Sequence, residues 1–174
     1  MYFNTMPLMT YRTPDGKDKK VRDIFNRVAF KSTIRGRLSL YPYEIQLGDT
    51  PEIIAQRVYQ NPQYHWLVLL VNEITNPYEE WPKDFEQLET FVKGKYGAGN
   101  ENAVHHYSIV DSEPELIVDY DAAKIASGEH RAVTNYDYEI ELNDEKRKIF
   151  LLRNEFVGEF VTQYKKLMKS QNAR

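Results

Sequence analysis

"YPYEIQLGDTPEIIAQRVYQNPQYHWLVLLVNEITNPYEEWP", residues 41–82, decides the fold. Tyr43, Ile45 and Leu47 alternate with Glu44 and Gln46, the period of a half-buried strand. Gly48 and Asp49 turn the chain, Thr50 is a good N-cap, and Pro51 takes the first helical position, where its missing N–H costs nothing. The helix that follows turns Ile54, Ala55 and Val58 inward. Asn61-Pro62 repeats the cap-plus-proline signal and opens a second helix, with Trp66, Leu70 and Ile74 at i, i+4, i+8 and Leu67 and Val71 beside them. "LVLLV" taken alone fits a buried strand, but the capped start and the i, i+4 recurrence select helix. Asn76-Pro77 ends it. Strand, turn and two short helices make a βααβ plan once a later strand returns.

On the N-terminal side, "TPDGKDKK" is turn-rich and reads as a charged loop. "DIFNRVAF" places Ile24, Phe25, Val28 and Ala29 on one short helical face. On the C-terminal side, "KDFEQLETFVKGKYG" predicts a third helix with Phe85, Leu88, Phe91 and Val92 inward. "HHYSIV" and "ELIVDY" are short β-like runs, and "AAKIASGEHRAVTN" has no clear period and reads as a loop. "YDYEIELNDEKRKIFLL" alternates Tyr138, Ile140 and Leu142 against Glu139 and Glu141, turns at Asn143-Asp144 and returns at 149–152, which predicts a β-hairpin. Residues 154–169 form an amphipathic helix with Phe156, Phe160, Tyr164 and Leu167 on one stripe and lysines near its C-terminal end. That stripe docks on protein, either its own core or a partner.

The expected class is α+β, in four segments: a basic N-terminal arm with a short helix over 1–40, the βααβ core over 41–82, an inserted helix and β/loop segment over 83–133, and a β-hairpin with an amphipathic helix over 134–174. The chain has 174 residues, 41% of them hydrophobic and 28% charged, enough apolar material for a real core. Its 13 tyrosines suit interfaces as well as cores. Charge is uneven: residues 12–37 hold nine Lys/Arg against three Asp/Glu, and residues 38–133 hold six against sixteen. A basic arm on an acidic body points to electrostatic docking, against the alternative of a solvated arm with no partner; the arm alone would suit nucleic acid, but the body repels phosphate, and no nucleic-acid partner is expected.

Several chemistries are excluded or disfavoured. There is no cysteine, hence no disulfide, zinc thiolate or cysteine nucleophile. No apolar run has membrane-spanning length and no signal-peptide pattern opens the chain, so a soluble protein made in the cytoplasm without export is expected. HExxH and G-x-S-x-G motifs are missing. His105 and His106 are neighbours on a strand and should face opposite ways, a poor joint metal site. Glu79-Glu80, Glu113 with Glu115, and Asp119 with Asp121 supply carboxylates for a hydrolase, yet nothing marks one as a buried acid. The reading is non-catalytic, with no cofactor and no metal.

Tyr43, Gly48-Asp49-Thr50, Ile54-Ala55, Trp66 and Asn72, in that order within about thirty residues, resemble the LysM module. The wider series "VRDIFNRVAF", this block, "NPYEEWP" followed by "KYG", "HHY" and "TNYDYEIELNDEKRKIFLL" is similar to the small LysM-like baseplate wedge subunit of contractile-tailed phages of the T-even type. The resemblance implies a non-enzymatic virion component in the tail baseplate, present in about six copies. It also implies that the block clamps other wedge proteins, close to sheath-initiating and central tube or hub proteins. Tyr41, Tyr59, Asn72, Tyr78, Trp81, Phe156, Phe160, Tyr164 and Leu167 are the candidate interface residues. The rival reading is a peptidoglycan- or glycan-binding LysM protein that uses Tyr41, Tyr59, Asn72 and Tyr78. Ordinary LysM modules close with a strand soon after the second helix, whereas here roughly fifty residues intervene.

Overall fold

In a computed structural model, the chain is described over residues 6–23 and 40–171; the helix expected near 24–30 lies outside the described residues. The fold is α+β and comprises two compact units, Met1–Glu80 with Ile149–Arg174, and Trp81–Lys148.

The first unit contains β1 (Leu8–Arg12), β2 (Asp18–Arg22), β3 (Leu40–Glu44), α1 (Pro51–Tyr59), a 3-10 turn (Pro62–Tyr64), α2 (His65–Val71), the single turn α3 (Pro77–Glu80), β7 (Lys148–Leu152) and α7 (Asn154–Gln171). Thr50 caps α1 by accepting the Ile53 N–H, and Asn61 caps the 3-10 turn by accepting the Gln63 N–H. Residues 67–71 are helix, as the capped start requires. The helix stops at Val71, earlier than Asn76-Pro77; that pair instead opens α3. β3 pairs with β7, so the strand that completes β–α–α–β arrives from the far side of the second unit's sequence. Ile54, Leu67, Val68, Val71, Leu151 and Leu152 are fully buried in this core.

Two expectations in this unit are corrected. The strand ends at Glu44, and Leu47 is 80% exposed in the turn, where Gly48 takes φ +81. The "TPDG" turn is real, but the charged residues after it are a strand: β1 and β2 form an antiparallel hairpin that pairs Met9 with Val21 and Tyr11 with Lys19. Lysines and aspartate in "DKKVR" hide a strand that buries neither face.

The second unit contains α4 (Phe85–Tyr96), β4 (Val104–Ile109), β5 (Ile117–Val118), α5 (Ala122–Ser127), β6 (His130–Thr134) and α6 (Asn135–Glu145), with β4 central in an antiparallel sheet of order β5-β4-β6. α4 buries Leu88 and Val92, but Phe85 and Phe91 are exposed, contrary to expectation. The stretch expected as a loop holds α5, capped by Asp121, and β6.

The predicted hairpin at 138–152 is half wrong. Its first arm is helix α6, started by a capping box in which Thr134 accepts the Asp137 N–H and Asp137 reaches back to the Thr134 N–H. The buried stripe of α6 is Asn135, Glu139 and Asn143 at i, i+4, i+8. Because that stripe is polar, hydrophobic periodicity could not find it. The second arm is the predicted strand, β7.

Candidate protein-binding surface

In the first unit, the Gly-Asp-Thr turn closes on its own carboxylate. Asp49 is 6% exposed and accepts hydrogen bonds from the Tyr43 hydroxyl at 2.7 Å, the Gln46 backbone N–H at 3.1 Å and the Arg57 guanidinium at 2.8 and 3.1 Å. Arg57 also donates to the Tyr43 oxygen at 2.6 Å. Burial pushes the Asp49 carboxyl up, but the bonds from Arg57, Tyr43 and Gln46 outweigh it and hold the group below the usual carboxylate range. Burial, then the neighbouring Asp49, raise the Tyr43 phenol. Four inward-pointing donors leave this carboxylate committed to the fold.

Asn72 and Tyr59 are committed in the same way. The Asn72 amide donates to the Val68 and Phe150 carbonyls, both at 2.8 Å, and its oxygen accepts the Phe150 N–H at 2.8 Å. Its side chain thus stands in for a neighbouring strand beside β7. Tyr59 is 5% exposed, and its hydroxyl accepts the Leu152 N–H at 3.1 Å; burial pushes its phenol up. Both residues, expected on a binding face, fasten the returning strand.

Trp66 is buried and receives the terminal helix: the Tyr164 ring lies 4.7 Å from it and the Phe160 ring 6.4 Å. The inward positions of α7 are Val157, Tyr164 and Met168, while Phe156 and Phe160 are half-buried and Leu167 is exposed. The stripe is rotated slightly from the predicted one, and the helix docks on its own unit.

Accessible in this unit are Tyr78, at 92% exposure, Leu47, Ile53 and Phe150, with Tyr41 half-buried. Leu47, Ile53 and Phe150 escaped sequence reasoning. In "KIFLL" every residue after the lysine is apolar, so nothing but pairing to β3 tells that Ile149 and Leu151 turn inward and Phe150 outward.

In the second unit Trp81 is half-buried. A register irregularity in β4 between Val104 and His106 overturns the expected opposite facing of the histidines: their Nδ1 atoms are 2.8 Å apart, and His105 stacks on Tyr138 at 4.0 Å. Among the described residues no group of three or more His, Cys, Asp or Glu side chains could hold a metal. Three of the carboxylates weighed for hydrolysis have structural duties. Glu80 accepts the Asn76 N–H and the Thr75 N–H and hydroxyl, Asp121 caps α5, and Glu115 faces Arg131 at 3.1 Å. No helix among the described residues is long and apolar enough to cross a membrane.

The family described as base plate wedge protein 53 matches residues 15–124, a span that enters both units. The baseplate wedge protein gp53 of Enterobacteria phage T4 is 26% identical over 164 residues, covering 84% of this chain and 83% of that protein.

Proposed function

The chain belongs to the base plate wedge protein 53 family, and from that premise we propose that it acts in a phage tail baseplate as a non-enzymatic clamp, gripping neighbouring wedge proteins through its LysM-like βααβ unit. A structural wedge component of the virion tail is what membership establishes. The clamp is our reading of how it serves there, with about six copies in a six-fold baseplate and with sheath-initiating and central tube or hub proteins close by.

One observation carries the clamp over the glycan reader. The polar groups that a sugar would need, the Asp49 carboxylate, the Asn72 amide and the Tyr59 hydroxyl, are spent on Arg57, Phe150 and Leu152 of the same unit. What the surface offers instead is apolar: Tyr78, Leu47, Ile53 and Phe150. Such side chains, rather than unspent hydrogen-bonding groups, anchor protein interfaces.

Three measurements test it. Purified virions should contain the chain, and a Tyr78→Ala, Phe150→Ala variant that still melts cooperatively should fail to enter wedges. Purified cell-wall sacculi should not retain the full chain, with a known LysM protein as positive control. Saturable retention on sacculi, or normal wedge entry by the double variant, rejects the clamp.

A further inference from the structure

Among the described residues, the β1–β2 hairpin is a strand pair that buries neither face. Every residue of both strands is exposed, and among the described residues each strand pairs only with the other. Isolated two-stranded ribbons are marginal in water, and their open edges are templates for a further strand. One face carries Met9, Tyr11 and Val21, at 42%, 51% and 37% exposure, beside Lys19. From Leu8 to Arg22 the ribbon has five Lys/Arg against two Asp.

A complementary surface is carried by the second unit. β5 is an edge strand of only two residues, with Ile117 70% exposed and Leu116 and Tyr120 also on the surface. Between Asp111 and Asp121 there are five carboxylates and no Lys or Arg, and Asp111, Glu113 and Asp119 are exposed. An open cationic ribbon and an open anionic edge, each with exposed apolar side chains, are thus present in one sequence.

We propose that the β1–β2 hairpin of one copy adds to the β5 edge of a second copy, a head-to-tail contact between neighbouring chains of the baseplate. Main-chain pairing supplies the grip and opposite charge the register. The two surfaces differ, so the contact is heterologous: repeated with a closing rotation it makes a ring, the geometry of a baseplate with several copies around one axis. The inference rests on the wedge reading only for the presence of several copies in one assembly.

Charge-reversal complementation on the full chain tests it. Wild type at low ionic strength should sediment as dimers or larger species. Association should weaken on the order of tenfold toward 1 M salt, where the Debye length falls to about 3 Å. Lys19→Glu with Lys20→Glu should give a monomer, as should Glu113→Lys with Asp119→Lys. Mixing the two monomeric variants should restore a complex that neither forms alone, because the reversed hairpin of one meets the reversed edge of the other. All four positions are exposed, and unchanged melting would show that the variants fold. A wild type that is monomeric at every salt, self-association indifferent to reversal, or a mixture that stays monomeric overturns the proposal. So does a virion in which carbodiimide links Lys19 or Lys20 only to its own chain, to another protein or to nucleic acid. A chain found in virions yet monomeric fails this inference alone; absence from virions fails the clamp.

Discussion

Asp49 shows how a residue that looks like part of a binding motif becomes structural. Position in the turn is set by Gly48, whose φ of +81 is costly for any residue with a Cβ, and by Thr50, which must cap α1. Between them, Asp49 has its carboxylate pulled inward by Tyr43, Gln46 and Arg57. Asp49→Asn keeps the shape but loses the charge, leaving poorly matched donors in a nearly closed site, at a cost of about 1–3 kcal/mol. The pH dependence follows from the depressed titration. The carboxyl is ionised more readily folded than unfolded, so its stabilisation is complete above about pH 4, the range where it titrates in the unfolded chain. It is lost as pH falls through the lower folded value. Urea midpoints for wild type and Asp49→Asn should differ at pH 7 and converge as pH falls below about 4; a gap that stays constant would deny the linkage.

At the scale of elements, legibility followed the kind of side chain that each face buries. α1 and α2 were readable because caps and apolar spacing agree, Thr50 capping α1 and Asn61 the 3-10 turn that leads into α2; α4 was readable from Leu88 and Val92, although Phe85 and Phe91 turn outward. α6 was misread because its inward face is Asn135, Glu139 and Asn143, and because Tyr138, Ile140 and Leu142 alternate at the period of a strand. Those polar residues are buried with partners. The Asn135 amide donates to the Asn100 carbonyl, Glu139 accepts from Lys95 at 2.6 Å and from the Tyr96 hydroxyl at 2.8 Å, and the Asn143 side chain accepts the Lys83 N–H and donates to the Lys83 carbonyl. The hydrogen bond from Lys95 to Glu139 holds the Lys95 ammonium above its usual range. Of the surface, Tyr78 was legible, while Tyr59 and Asn72 were not, since their partners lie in a strand far along the chain. Asn143 repeats for Lys83 what Asn72 does for Phe150, a side-chain amide bridging one residue's N–H and C=O. Asn143→Ala should therefore lower stability by about 1–3 kcal/mol, and Asn143→Leu should give no rescue, because volume is restored but the two hydrogen bonds to the Lys83 backbone are not. Equal stability of Asn143→Leu and wild type in denaturant titration would remove that role.

For the whole molecule, the decisive fact is that the strand completing the first unit lies after the second unit in sequence. β3 pairs with β7, and β7 places Leu151 and Leu152, both fully buried, in a core that also takes Val157, Tyr164 and Met168 from α7 and whose remaining buried residues lie mostly before Glu80. Residues 41–82 alone thus lack a strand, two core leucines, the Tyr59 and Asn72 partners and the helix that covers Trp66. Each buried leucine is worth roughly 2 kcal/mol in transfer free energy, and the stranded Asn72 and Tyr59 add unmet hydrogen bonds, against a domain stability of only about 5–15 kcal/mol. The 41–82 fragment should show no cooperative melt. The opposite deletion should be tolerated. Asn72 holds Phe150 directly, and Glu80 lies eight residues beyond Asn72. Eight extended residues reach at most ~29 Å, so a Gly/Ser linker of about eight residues spans back to Ile149 at a modest closure entropy. A chain with Trp81–Lys148 replaced by that linker should melt as one cooperative unit, followed by circular dichroism and amide spectra. If the 41–82 fragment melts cooperatively while the linker variant does not, β7 is dispensable, and the first unit is held together by something other than the β3–β7 pair.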